Sequence, residues 1–221
     1  MSPTATIIAL WIGFAGSHLA LSSMGIRQRI VERIGEGPFR GLYSLVAFAF
    51  FIPLVWTYFA HKHAGPWLWV VPHNPVLVGI IDLGMVVAFV LVVASLVRPS
   101  PAAVIPGDPT PRGVFRITRH PLLMGLALFG LLHLVFNASS ADVAFFAGFA
   151  LFAPLGAWHQ DRRKFAMDVP GFRQFYEGTP FLPFMGARAL TGFRELGPLV
   201  AALGVGVAMI VRYYHTSWFS G

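Results

Sequence analysis

The sequence contains no cysteine, which removes disulfides, thiolate metal ligation, iron–sulfur clusters and covalent c-type haem in one step. Any metal must therefore use His, carboxylate or Met. Charge is scarce as well: Asp, Glu, Lys and Arg make up 11 % of the residues, well below the ~25 % of a soluble domain. Hydrophobic residues reach 56 % and the mean hydropathy is +0.69, so lipid is the expected solvent. The N-terminus lacks the basic n-region of a cleaved signal and the Arg-rich composition of a transit peptide. The first apolar run is therefore expected to be retained, in a bacterial inner (cytoplasmic) membrane. No HExxH, GxSxG, P-loop or GxGxxG occurs in a usable context, which excludes those hydrolytic and nucleotide-binding templates.

What is present is a series of apolar runs. Crossing a ~30 Å hydrocarbon core takes about 17 to 25 residues, and six candidates fall at 5–23, 41–60, 76–97, 121–137, 143–159 and 197–214. The expected fold is all-α, a polytopic transmembrane bundle of about six spans in one domain, because lipid-embedded backbone must satisfy its own hydrogen bonds. The connecting segments look too short to fold alone. Two are longer and rich in Pro and Gly, 98–120 and 161–196, and are expected to cover a cavity on the cytoplasmic side.

The formal charge of +7 does not mark a nucleic-acid site, because the basic residues form no single patch. They follow alternate loops: Arg27, Arg29, Arg33 and Arg40; then Arg98, Arg112, Arg116 and Arg119; then Arg162, Arg163, Lys164, Arg173, Arg188 and Arg194. Only Lys62 and Arg212 fall on the other side. The positive-inside rule then places both termini on the outer, periplasmic side. Trp56, Tyr58, Trp67, Trp69, Tyr213, Tyr214 and Trp218 cluster at the outer ends, as amphipathic rings do at an interface.

The histidines are the residues most able to carry chemistry. His61, His63, His73 and His215 lie in or near outer loops and read as solvated. His18 in span 1 and His133 in span 4 have mainly apolar neighbours, where an ionisable group needs a partner inside the bundle. They are candidate cofactor and metal ligands, since neutral imidazole suits haem iron. A helix-to-helix hydrogen bond through Ser17, Ser22 or Asn137 is the competing explanation. Arg119 and His120 precede Pro121 at the inner mouth of span 4, where Arg116 and Arg119 beside a helix N-terminus suit a carboxylate or phosphate. An interfacial basic anchor would look the same. His159, with Asp161, closes span 5 on the same side and joins Arg119 and His120 as a candidate catalytic group. Asp82 lies well inside span 3, where pairing with a histidine or a hydroxyl is expected.

Four segments in order resemble the NnrU family of membrane proteins: Gly16-Ser17-His18-Leu19; Gly35-Glu36-Gly37-Pro38-Phe39-Arg40; Arg116-Ile117-Thr118-Arg119-His120-Pro121 leading to His133; and Gly156-Ala157-Trp158-His159-Gln160-Asp161-Arg162-Arg163. That family is associated with bacterial denitrification, and the 15-cis-zeta-carotene isomerases are related to it. The resemblance implies haem b, with His18 and His133 as ligands, and either a redox role or cis–trans isomerisation of a polyene. It implies membrane lipid and a hydrophobic small molecule as partners, with denitrification reductases as a further class. A non-enzymatic assembly or sensing factor for nitrite or nitric oxide reductases is the alternative.

Arg119-His120-Pro121 and the downstream Phe172-Arg173-Gln174-Phe175-Tyr176 also look like membrane methyltransferases of the isoprenylcysteine and phospholipid type, which enclose S-adenosylmethionine. The acidic pair typical of those enzymes is replaced here by Asp161-Arg162-Arg163. Helical rise sets a further expectation: His18 lies ~20 Å and His133 ~12 Å below the outer edge, a mismatch of ~8 Å for two ligands of one iron. If those bounds hold, His18 pairs instead with His120 or His159.

Overall fold

A computed structural model of the chain describes residues 1–103 and 107–219. The described residues fold into helices and contain no strand; Trp67 and Ser139 form one isolated bridge. Five helices are long and apolar enough to cross a membrane: α1 (Pro3–Ser22), α3 (Glu36–Ala60), α4 (Pro75–Val97), α6 (Ser140–Ala166) and α9 (Pro198–Phe219). A sixth apolar helix, α5 (Pro121–Phe136), has 16 residues and thus a length of only about 24 Å. The protein is a multi-pass membrane protein.

Proline punctuates this architecture. Pro3, Pro75, Pro121 and Pro198 each open a helix, where the missing N–H would have had no intrahelical partner. Ser2 caps α1 by accepting from the Ala5 N–H, and Asn74 caps α4 by accepting from Val76 and Leu77. Pro53 and Pro154 lie inside α3 and α6.

The segments expected as plain loops are partly helical. α2 (Met24–Ile34) connects α1 to α3 and ends at Gly35, whose φ of 86° suits glycine. Its Ile26, Ile30 and Ile34 recur every fourth residue, one face of a helix. Segments 98–120 and 161–196 hold a 3-10 turn (Gly113–Arg116), α7 (Phe172–Glu177) and α8 (Ala189–Glu195).

The chain divides into two compact units, Met1–Pro72 with His133–Phe152, and His73–Leu132 with Ala153–Gly221. In the first, α1 packs along α3. Gly13 lies against the Phe50 ring and Gly148 against the Trp11 indole, so any side chain there would have to displace an aromatic group. Trp11 Nε1–H donates to the Phe145 carbonyl at 3.1 Å.

In the second unit α4 packs along α9, with Gly204 against Val90 and Gly125 of α5 against the Ala88 carbonyl. Leu91 and Ala94 of α4 continue into a core with Ala102, Val114, Phe115, Ile117, Phe172 and Phe175. The two Pro- and Gly-rich segments thus pack onto the end of α4 and share its core. Asp82 pairs with Arg212 at 3.0 Å, a partner not expected from the sequence.

Candidate functional site

Two polar constellations and one histidine in an aromatic cluster stand out. The first constellation gathers residues 42 positions apart in sequence. Asp161 accepts from Arg119 Nε and from His120 Nε2, each at 2.8 Å. Arg119 also donates to the Thr179 carbonyl at 2.9 Å, and its guanidinium lies over the Tyr176 ring at 4.0 Å. All three ionisable groups are buried. Burial of this kind is tolerated only when each charge is paired and its remaining donors are used.

The backbone fastens the same residues. The Arg119 N–H donates to the Pro180 carbonyl and the Ser100 hydroxyl to the Arg119 carbonyl, while Thr118 donates to the Phe181 carbonyl at 2.6 Å. Arg119, His120 and Asp161 therefore clamp segments 98–120 and 172–183 to α6. His159 stands roughly 200° around α6 from Asp161, on another face of the helix. Arg116 pairs with Glu195 at 2.8 Å, so Arg116 and Arg119 do not form a shared cradle at the start of α5.

The second constellation went unread in the sequence. Asp142 is fully buried at the start of α6. Its carboxylate accepts from the Tyr58 hydroxyl at 3.1 Å, from His63 Nδ1 at 2.9 Å, and from the backbone N–H groups of His63 and Ser139. Ser139 Oγ accepts in return from the Asp142 N–H at 3.2 Å. This is a capping box, and Ser139-Ser140-Ala141-Asp142 was its available signal. His63 is exposed, as expected of an outer-loop residue, while its Nδ1 reaches the buried Asp142; Tyr58, expected in the outer aromatic belt, is buried. Trp56, Trp67, Trp69, Tyr213 and Tyr214 are exposed as the belt requires; the side chain of Trp218 lies outside the described residues.

His18 sits among Phe14, Tyr43 and Phe152, with ring centroids 4.2, 4.8 and 5.6 Å away. Its Nδ1 is 3.2 Å from the Phe14 carbonyl. A carbonyl only accepts, so Nδ1 carries the proton and Nε2 keeps its lone pair, the tautomer a metal ligand needs. His133 stacks on Phe146 at 4.5 Å, and Phe146 meets Tyr58 edge-on at 5.4 Å.

Tyr43 and Tyr58 are fifteen residues apart on α3, about 22 Å at helical rise. His18 touches the first directly, and His133 reaches the second through Phe146. Two axial nitrogens of one iron must lie ~4 Å apart, so the His18 and His133 side chains as they stand do not fit a shared haem iron. Within the described residues no cluster of three His, Asp or Glu side chains suits a metal ion.

Membrane-spanning helices, a capped aromatic end and a buried Arg–His–Asp clamp define a multi-pass membrane protein with a histidine enclosed by aromatic rings. The family model described as NnrU protein matches residues 6–220, and the chain belongs to that family. It is 24 % identical over 181 residues to a chloroplastic 15-cis-zeta-carotene isomerase of Zea mays, covering 80 % of this chain and 49 % of that protein. To the 15-cis-zeta-carotene isomerase of Arabidopsis thaliana it is 25 % identical over 186 residues, covering 83 % and 50 %. The chain thus spans about half the length of these curated relatives. No solved structure matches it significantly.

Proposed function

We propose that the protein is a cis–trans isomerase of a carotene-like polyene, working in a bacterial inner membrane with both termini on the periplasmic side. The similarity to two 15-cis-zeta-carotene isomerases carries this reading. The surroundings of His18 agree with it in chemistry. Phe14, Tyr43 and Phe152 surround His18 with flat apolar rings, which suit a conjugated chain better than a charged or sugar-like substrate. The residues of this chain bind and orient the polyene away from water, and His18 Nε2 is the polar atom that meets it. Arg119 and His120, on which a methyl-transfer reading depends, spend their hydrogen bonds inside the chain.

Haem b is part of the proposal: His18 is the residue that would hold it, and its iron would supply redox chemistry at the polyene. Cells that accumulate 15-cis-zeta-carotene in darkness, where light cannot isomerise it, are expected to convert it when this protein is co-expressed. His18→Ala should lower that conversion at least tenfold at equal membrane content. An unchanged isomer ratio on pigment chromatography with the wild-type protein sinks the isomerase reading. Absorption spectra of the detergent-purified variants test the cofactor separately: a Soret band lost in His18→Ala and kept in His133→Ala agrees with the geometry, and its absence from wild type made with ample haem removes the haem.

A further inference from the structure

The second unit holds an open cleft of about 580 Å³ lined by Arg98, Arg112, Arg116, Arg188, Glu195 and the Thr110–Gly113 backbone turn. Four guanidinium groups face one carboxylate. Glu195 accepts from the Gly113 N–H and from Arg116 Nε, both at 2.8 Å. The Gly113 N–H first, and then the Arg116 guanidinium, hold its carboxyl below the usual carboxylate range, so it stays ionised and neutralises Arg116. Arg112 is paired with Asp108 at the rim at 3.3 Å. Arg98 and Arg188 enter no ion pair among the described residues.

These two arginines come from segments ninety residues apart, brought to one concave surface by the packing of α8 on the 3-10 turn. Arginines scattered as membrane anchors would snorkel separately to the interface rather than converge. The cleft also lies at the ends of two helices long and apolar enough to span a membrane. Arg98 directly follows the last residue of α4, and Glu195 stands three residues before α9 begins. On α8, Leu190 and Phe193 are 80 % and 62 % exposed while Ala189 and Gly192 pack inward, which leaves an apolar edge beside the cationic lining. Cationic forks next to exposed apolar side chains match an amphiphile with a phosphate head, since guanidinium binds phosphate oxygens bidentately.

We propose that this cleft is a binding site for a phosphoryl group, with Arg98 and Arg188 as its principal donors. The site is independent of the isomerase reading. The test is calorimetric titration of the full chain in an uncharged detergent with dioctanoyl phosphatidate, with dioctanoylglycerol lacking the phosphate, and with inorganic phosphate. Phosphatidate is expected to bind and dioctanoylglycerol not to. Each guanidinium removed should weaken binding roughly fivefold, so Arg98→Ala/Arg188→Ala should lose roughly 25-fold. Neither side chain enters an ion pair among the described residues, so the variant should keep its helical circular dichroism and elution volume.

Phosphatidate binding that inorganic phosphate does not displace identifies a lipid headgroup as the source. Inorganic phosphate binding as tightly as phosphatidate identifies a soluble phosphate ester instead, and upholds the site. Failure of both phosphoryl probes to bind, or wild-type affinity in the double variant, overturns the proposal.

Discussion

Asp161→Ala is expected to cost about 3–5 kcal/mol of stability, because it strands the buried Arg119 guanidinium without its counter-charge. His120 loses its carboxylate partner in the same step. What remains for Arg119 is the Thr179 carbonyl and the face of Tyr176, which is too little for a desolvated charge. Thermal unfolding in detergent should show a midpoint lowered by roughly 10 °C, at 2–4 °C per kcal/mol for a chain of this size. The double variant Arg119→Met/Asp161→Leu should recover part of the loss, since removing both charges leaves no unpaired ion. A single variant as stable as wild type, or a double variant worse than the single, would mean that the clamp is not an ion-pair lock.

The second large effect lies in the other unit, at Asp142. Replacing it with alanine leaves the Tyr58 hydroxyl and the backbone N–H groups of His63 and Ser139 without their acceptor and dismantles a capping box, at a total cost of about 3 kcal/mol. The damage should be local. Residues 61–72 are laced to the start of α6 and the end of α5 by Leu68 N–H to the Ala138 carbonyl, Ser140 N–H to the Pro66 carbonyl and Trp69 Nε1–H to the Leu134 carbonyl. Amide exchange of 61–72 should therefore rise at least tenfold in Asp142→Ala while the rest of the chain keeps its protection. Unchanged exchange in that loop would show that the loop is held by its backbone contacts alone.

The membrane helices were legible because each leaves a continuous trace in the chain. Apolar runs mark their interiors and Pro3, Pro75, Pro121 and Pro198 mark their starts, so most expected span ends lie within a few residues of the observed ones. α6 is the exception: it was expected over 143–159 and runs Ser140–Ala166. Its C-terminal turns carry Asp161, Arg162, Arg163 and Lys164, which ended the apolar run without ending the helix. α2 was missed for a related reason, since Arg27, Arg29 and Arg33 mask the every-fourth-residue isoleucines.

The polar partnerships were less legible. Asp161 was expected to join Arg119 and His120 and does so, whereas His159, expected beside it, lies on another face of α6. Asp142 was passed over, so the bond that the exposed His63 makes to it across 79 positions was not foreseen.

By itself the sequence determined that this chain lives in lipid, how many apolar helices it forms and about where each begins, because a bilayer demands unbroken apolar length and proline favours the first turn of a helix. The tertiary structure alone decided that Asp142 gathers Tyr58 and His63, that Arg116 pairs with Glu195, and that Arg98 and Arg188 line one cleft. Those outcomes depend on how each helix is rotated and shifted against its neighbour, and a rotation of 100° per residue turns a one-residue difference in register into a different partner.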